Sequence, residues 1–512
     1  MNPPIYSHIP TYTQTKYLFT DLRHIRCGDL DWHSPTGEYL PTVNPPGPVS
    51  DARAYTGFVP HGIRLQCHQG ELELLPNPPH NIAQGQARIV YEDGVYRSWY
   101  LDLNPAEICY VESHDGFDWS EPRRSQLEIP SGRPSAEFTF FIDDHGPAEE
   151  RYKCVYPVSA AKSELPDLWQ DYQKVHPRYK DLRFNENRIE RMFAAVSPDG
   201  INWTPLPEPL MYYGGDTDTT VYYDNFLGKY VLYTRLYIQE RRWIGRSESD
   251  DFRNWGPIES IIWPTLDRPF SYDMYTNGRT TYPGLPAYHL MFPWIYERDT
   301  QRGSCYLYSS DDGICWNQVP GGPIIPVGKS HPDGEYVNTT RDLVPVANNQ
   351  VGVISTETTR PHKYPRWTDT KFVPGSKSIS QKAVYGGNSF WTTWADGRLC
   401  GLVADEDGEF FTFPVVPQGR QLRLNARVHR GGDLRVGLMK HGEPQEHTSR
   451  NLFINRQDIP KHTISDCDPI FGNNISLPVH WNGQSDIGIK EGEAVTLHFK
   501  LRAAELFGFE WV

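Results

Sequence analysis

The chain has 512 residues, 13% of them aromatic with 15 Trp and 30 Tyr, and carries a net charge of −14. That length exceeds one ordinary core and sets the expectation at two or three domains. A negative balance without any basic block excludes nucleic acid as a partner, and no apolar run approaches the length needed to span a membrane.

The 42 Gly and 44 Pro are spread along the chain, which implies many tight turns between short strands and an all-β fold. Residues 1–19 show no basic region followed by an apolar stretch, so no signal peptide is expected. The cysteines at 27, 67, 109, 154, 305, 315, 400 and 467 form neither CxxC nor a disulfide-scaffold spacing. They read as scattered thiols of a cytoplasmic protein. Residues 1–80 are expected to be an N-terminal extension packed on the domain that follows. Helical periodicity is confined to the neighbourhood of Leu168 to Arg183, and Pro177 interrupts it.

From residue 81 onward two repeats interleave. The first reads S-x-D-[G/F]-x-x-W at residues 113–119, 197–203, 249–255 and 310–316, with Trp119, Trp203, Trp255 and Trp316 spaced by 84, 52 and 61 residues. These spacings fit a four-stranded propeller blade with variable loops. Asp and Gly supply a turn between outer strands, Ser and Asp hold its free amides, and Trp packs it down. The second repeat is a polar residue opening a buried strand, a carboxylate closing it, and an aromatic-rich return strand. It occurs at 86–92 with 96–100, at 137–143 with 151–156, and at 218–224 with 229–233; 275–282 with 288–292 and 335–339 with 350–355 are the fourth and fifth copies. Five copies predict a five-bladed β-propeller over residues 81–376. The first strand of each blade lines the axis, so the openers Gln86, Glu137, Asp218, Asp273 and Glu335 are expected to converge there. Four of these five are acids.

After residue 377 short alternating strands at 389–394, 409–413, 421–426, 433–438, 495–501 and 506–511 suggest a β-sandwich over 377–512. Its expected role is to support the propeller or to buttress a homo-oligomer.

The repeat plan, the turns and the trailing sandwich resemble the five-bladed propeller glycoside hydrolases of the fructofuranosidase and arabinofuranosidase superfamily, families 32 and 43. The phrases WIGRSESDDFRNW (243–255), AAVSPDGINWTPLPEPL (194–210) and YTNGRTTYPGLPAYHLMFP (275–293) carry the likeness, closest to bacterial family-32-like proteins. The resemblance implies an acid-floored funnel that cleaves a glycoside or small oligosaccharide, exo-acting and possessing furanoside specificity at its narrowest. Cleavage takes one carboxylic acid to protonate the leaving oxygen and a second carboxylate as nucleophile or base. On that plan Asp218 is the nucleophile or base and Glu335 the general acid, with Glu137 and Asp273 binding hydroxyls or tuning the pair. Arg298, Arg341, Tyr275, Trp294, His331 and Gln86 are the expected substrate contacts, with Glu297, His362, Trp263 and Trp367 as further candidates. The W-x-N-D-P-N and R-D-P segments of the best-known members are absent; Arg298-Asp299-Thr300 is one substitution from the second.

Neither a metal motif nor a cofactor motif is present, and His68, His331 and His362 stand apart from one another in sequence. Two other functions fit the same architecture. A polysaccharide lyase acting on a uronate would use Tyr275 and His331, and a non-catalytic glycan-binding propeller would hold its axial acids in ion pairs.

Overall fold

The computed structural model describes residues 12–26, 60–76, 87–103, 105–129, 132–134, 138–180, 188–215, 218–263, 268–359, 362, 387–440 and 457–512. Gln86, Glu137 and Trp367 therefore lie outside the described residues. The chain divides into two compact units. The larger spans 69–318 and 322–394, and the smaller gathers 1–68, 319–321 and 395–512. Among the described residues strands dominate the regular structure. One helix, α1 (Pro166–Lys174), starts on a Pro at its first turn and buries Trp169 and Tyr172. A short 3-10 turn at Pro177–Tyr179 follows it, where Pro177 was expected to interrupt the helix. Among the described residues no helix is long and apolar enough to cross a membrane.

The larger unit is built around five antiparallel groups of strands, with further strands at Tyr272–Met274, Trp294–Glu297, Gly303–Cys305 and Tyr336–Thr339 joined to the fifth. The first is Arg88–Glu92, Val95–Leu103, Ala106–Ser113 and Arg123–Gln126; the second is Thr139–Ile142, Tyr152–Ala161, Arg188–Ser197 and Thr204–Pro205. The third is Thr220–Asp224, Lys229–Ile238, Arg241–Ser249 and Glu259–Ile262, and the fourth Arg279–Tyr282, Leu285–Met291, Tyr308–Ser310 and Asn317–Gln318. The fifth is built on Val344–Val346, Gln350–Thr358, Gly387–Ala395 and Glu71–Leu75. Val344–Val346 neighbours Arg88–Glu92, which neighbours Thr139–Ile142, which neighbours Thr220–Asp224. Thr220 then donates to the Asn277 side chain (3.1 Å), and Leu343 N–H to Thr280 Oγ1 (3.1 Å), closing the series.

The four turns form as their sequence predicts. In each, Gly or its neighbour donates to the Ser hydroxyl, and the Asp carboxylate accepts the N–H groups of the residues two and three further on, at 2.7–2.9 Å. The turn carbonyl is also where the next sheet takes hold. Trp391 donates to Gly116 O (3.0 Å), Trp99 to Gly200 O (2.7 Å) and Tyr233 to Gly313 O (2.6 Å). Gly116, Gly200 and Gly313 have φ of 81°, 75° and 69°, which costs glycine nothing. Phe252 fills the same place in the third turn at φ 67° and compensates by burying its ring completely. Trp99, 1% exposed and stacked on Phe140 at 4.0 Å, shows the packing between sheets; truncating such a ring costs about 3–5 kcal/mol.

The smaller unit hydrogen-bonds seven strands into one sheet. Its centre is Val495–Trp511, flanked by Cys400–Phe411 and Leu422–Lys440. The strands expected at 421–426 and 433–438 are one strand, with Val428 and Asp433 facing Ala504 and Arg502 across a large bulge. The sandwich expected for 377–512 is thus, in its backbone pairing, a single sheet with a core of Tyr17, Phe410, Leu424, Val436, Phe499 and Phe509. Two domain boundaries also move. Lys16–Leu18 and Arg64–Cys67 pair with strands of this sheet, so the extension expected to pack on the propeller supplies edge strands here instead. Conversely, Gly387–Ala395 pairs with Glu71–Leu75 in the larger unit, where the strand is buried on both faces and Trp391 joins the core of Leu75, Ile89 and Ile354. Six of the seven described cysteines are buried thiols, and Cys315 is exposed.

Candidate active site

The first strand of each group opens at one end of the closed series, and two buried networks form there. Asp218, 4% exposed and at φ 56°, accepts the backbone N–H of Gly278 at 2.6 Å and that of Asn277. Its other oxygen forms an ion pair with the Arg341 guanidinium, which also donates to Phe138 O. Asn277 in turn donates through its side chain to Asp218 O. The second network centres on Asp342. Its carboxylate accepts Arg88 Nε (2.8 Å), a second Arg88 nitrogen (2.5 Å) and Ile89 N–H (2.7 Å), while Arg88 also donates to Thr139 Oγ1 (3.2 Å). Opening residues of all five groups thus meet in these two clusters.

The structure brings together only part of the expected acid set. Asp218 stands at a strand opening as anticipated. Asp273 does not: it lies on Tyr272–Met274, which pairs with Trp294–Glu297, and the fourth group opens six residues later at Arg279. Asp273 is fully buried against Arg242 (2.6 Å), with Arg298 Nε at 3.7 Å. Glu335 precedes Tyr336–Thr339, a strand on the far end of Gln350–Thr358, and its half-buried carboxylate pairs with Arg302 Nε at 2.9 Å. The fifth group opens instead at Arg341-Asp342. Both shifts had a sequence signal. Pro283-Gly284 joins Tyr282 to Leu285, and Asn348-Asn349, both at positive φ, sit between Val346 and Gln350. Turn residues at these points fix 279–282 and 344–346 as the preceding strands. Asp342 and Asn277 were missed for the same reason, and Arg88 because the first opening was placed at Gln86, two residues earlier.

A second patch gathers three of the expected substrate contacts, Tyr275, Trp294 and His362. The Tyr275 hydroxyl hydrogen-bonds His362 Nε2 at 2.7 Å. Arg235 lies 4.0 Å and Arg242 4.7 Å from the centre of the Tyr275 ring, and Arg235 donates to Tyr275 O. Trp294, 2% exposed, is stacked on Tyr336 at 4.7 Å and 4.3 Å from Tyr275, so it packs this patch instead of offering a face to a ligand. Burial pushes the Tyr296 hydroxyl of the same cluster up to about 12. Trp263, by contrast, is 62% exposed. His331 is half-buried away from Tyr275's hydrogen bond: its N–H donates to Glu357 (3.0 Å) and its Nδ1 accepts from Asp333 N–H (3.1 Å). The buried Glu357 carboxylate, which the sequence did not single out, anchors the 328–331 loop by also accepting Ser330 N–H (2.8 Å). Among the described residues no group of three or more His, Cys, Asp or Glu is arranged to hold a metal ion.

No protein-family model matches the chain, and no curated protein matches it. Among solved structures it is similar to a protein described as a glycoside hydrolase, at 11% identity and a TM-score of 0.39, over 65% of this chain and 94% of that one. It is also similar to the GH32 β-fructofuranosidase of Bombyx mori, at 11% identity and a TM-score of 0.36, over 89% and 95%. A third is an N-acetylgalactosamine deacetylase from F. plautii in complex with blood group B trisaccharide, at 13% identity and a TM-score of 0.38, over 73% and 96%. Likenesses this distant leave the chemistry of the site to be read from its own residues.

Proposed function

We propose that the chain is a glycoside hydrolase whose larger unit is a five-bladed β-propeller, acting on a glycoside or oligosaccharide. The observation that carries this reading is the meeting of strand-opening residues from all five groups, with Asp218 and Asp342 at their centre. Asp218, Asp342, Asp273 and Glu335 are each held in an ion pair with an arginine, as a non-catalytic glycan-binding propeller would also hold them, and turnover separates the two. Glycosidic cleavage requires two carboxyl groups with unlike tasks. Asp218, whose oxygens already receive Arg341 and two amides, has the fixed aim of a nucleophile, a base or a positioning group and no free hydroxyl to give. The proton donor is then Glu137, next in the chain to Phe138; Glu335, which the resemblance implies, is paired with Arg302 away from this meeting of openings. Tyr275, Arg298 and Arg341 orient the sugar. Unpaired buried thiols support a cytoplasmic workplace.

The test is turnover of a panel of nitrophenyl furanosides and pyranosides by the protein and its Glu137→Gln, Glu335→Gln and Asp218→Asn variants. One amide variant at 137 or 335 is expected to lose activity by about 10²–10⁴-fold, the range for removing a general acid. Full activity in all three variants sinks the axial-acid reading.

One observation favours a second reading. A Tyr whose hydroxyl is bonded to a His and whose ring lies against two guanidiniums, as Tyr275 does with His362, Arg235 and Arg242, has a proton acceptor and cations of the kind used in taking a proton beside a sugar carboxylate. A lyase of that kind leaves an unsaturated product that absorbs in the ultraviolet. Nitrophenol release without such absorbance selects the hydrolase; the reverse, on a uronate-containing glycan, selects the lyase.

A further inference from the structure

The strands Tyr152–Ala161 and Arg188–Ser197 pair along their whole length, Ala161 facing Arg188, so a short turn between them would suffice. The chain instead inserts residues 162–187, of which 162–180 carry α1 and the turn after it. Connections of this length are unusual unless they serve a purpose. The insertion keeps its own small core of Trp169, Tyr172 and Ile189, and Lys180 forms a β-bridge with Tyr212. Its outer end is tied to the third group of strands by the Arg178–Glu259 ion pair. Between the insertion and that group lies a cavity of about 920 Å³. Ligand cavities run to about 300–1,000 Å³, so this one suits several linked rings better than a single ring.

Three features say what such a ligand is. Tyr179, Tyr212, Tyr213 and Tyr237 line the cavity, giving flat apolar faces that each end in a hydroxyl. The two cations of its rim are engaged elsewhere, Arg178 with Glu259 and Lys180 Nζ with the carbonyl of Tyr172 at 3.2 Å, and its one acid, Glu240, is exposed to solvent and disfavours an anionic ligand. Residues that line the cavity are also hydrogen-bonded to those of the Tyr275 patch. Tyr237 OH accepts Arg235 NH1 (3.1 Å), Tyr213 OH donates to Arg235 O (2.9 Å), and Arg298 donates to the carbonyl of the rim residue Glu240 (2.9 Å).

We propose that this cavity binds uncharged sugar units of a glycan chain, so that the substrate is an oligosaccharide whose distal units stack on these tyrosines. The inference rests on the glycosidase reading for the nature of the substrate, but binding tests it without turnover. The measurement is isothermal titration with arabino-, fructo-, xylo- and galacto-oligosaccharides from mono- to hexasaccharide. The proteins compared are the full chain and two variants, Tyr179→Ala, which removes a half-exposed ring, and Ile258→Trp, which fills the cavity from its opposite wall. For at least one series, affinity is expected to rise with length. Both variants should then lose about tenfold on the longest members and nothing on the shortest, with turnover of small nitrophenyl glycosides unchanged. The proposal is overturned if no member binds, if affinity is independent of length, or if both variants bind as the parent does. It is equally overturned if the apolar dye anilinonaphthalene sulfonate occupies the cavity and no sugar displaces it. Length-dependent binding in a protein that cleaves nothing would sink the hydrolase reading and leave this one standing.

Discussion

Aspartates do similar work at the outer and inner ends of the larger unit's strands, at very different range. In the outer turns Asp115, Asp199, Asp251 and Asp312 accept N–H groups two and three residues away. At the strand openings Asp218 accepts N–H groups 59 and 60 residues away, and Asp342 one 253 residues away. The outer acids lock one hairpin each, and Asp115, Asp199 and Asp251 stay exposed while Asp312 is half-buried. The inner acids tie one group of strands to another, Asp218 buried with Arg341 and Asp342 partly buried with Arg88. A local lock forms as soon as its hairpin forms; an inner tie exists only when the whole series has closed. Buried polar groups at such a junction have to be satisfied together, which is why each inner acid carries its own guanidinium.

If that contrast is right, the largest loss comes from the inner ties. Arg341→Ala leaves Asp218 buried without its cation, and removing one partner of a buried pair costs about 3–5 kcal/mol. Urea unfolding of the full chain checks this, and a loss below about 1 kcal/mol would make the inner acids no more structural than the outer ones. Phe252→Gly sharpens the comparison from the turn side. It relieves a positive φ, about 1 kcal/mol, but removes a fully buried ring, about 3–5 kcal/mol, so a net loss of about 2–4 kcal/mol is expected in the same assay. The converse result, a gain, would mean that the third turn tolerates glycine as the others do.

The smallest effect is electrostatic. At Asp199 burial, which raises the carboxyl, is outweighed by the N–H groups of Asn202 and Ile201, and it falls to about 2. The N–H and side chain of Asn254 bring Asp251 to about 2 as well. Both start from an ordinary value of 3.8. Their folded values lie below their unfolded ones, so the stabilisation is complete above about pH 4 and is lost as pH falls through about 2. The melting temperature is expected to fall across that window, and less steeply in an Asp199→Ala variant. Equal slopes in the two proteins would remove Asp199 from the causes of the acid sensitivity.

What was legible in the sequence follows the same division. The S-x-D-x-x-x-W turns, the all-β composition and the interruption at Pro177 each depend on residues within one hairpin or one helical turn, and each formed as read. Asp218 was found because the strand it opens, Thr220–Asp224, is followed directly by its partner Lys229–Ile238. The fourth and fifth openings were displaced to Asp273 and Glu335 because a second strand precedes the central one in those groups. Two strands in a row satisfy the same alternating pattern, and only the turns at Pro283-Gly284 and Asn348-Asn349 separate them.

The sequence alone therefore determined the unit of construction: a strand, its return and a turn locked by its own Ser, Asp and Trp. These are short-range hydrogen bonds and packing, written in adjacent letters. Tertiary structure alone decided which strands neighbour which. It put Lys16–Leu18 and Arg64–Cys67 beside the C-terminal strands, Glu71–Leu75 beside Gly387–Ala395, and Arg341 against Asp218. Those pairings depend on burying apolar faces and satisfying charges between segments hundreds of residues apart, and no local pattern specifies the partner.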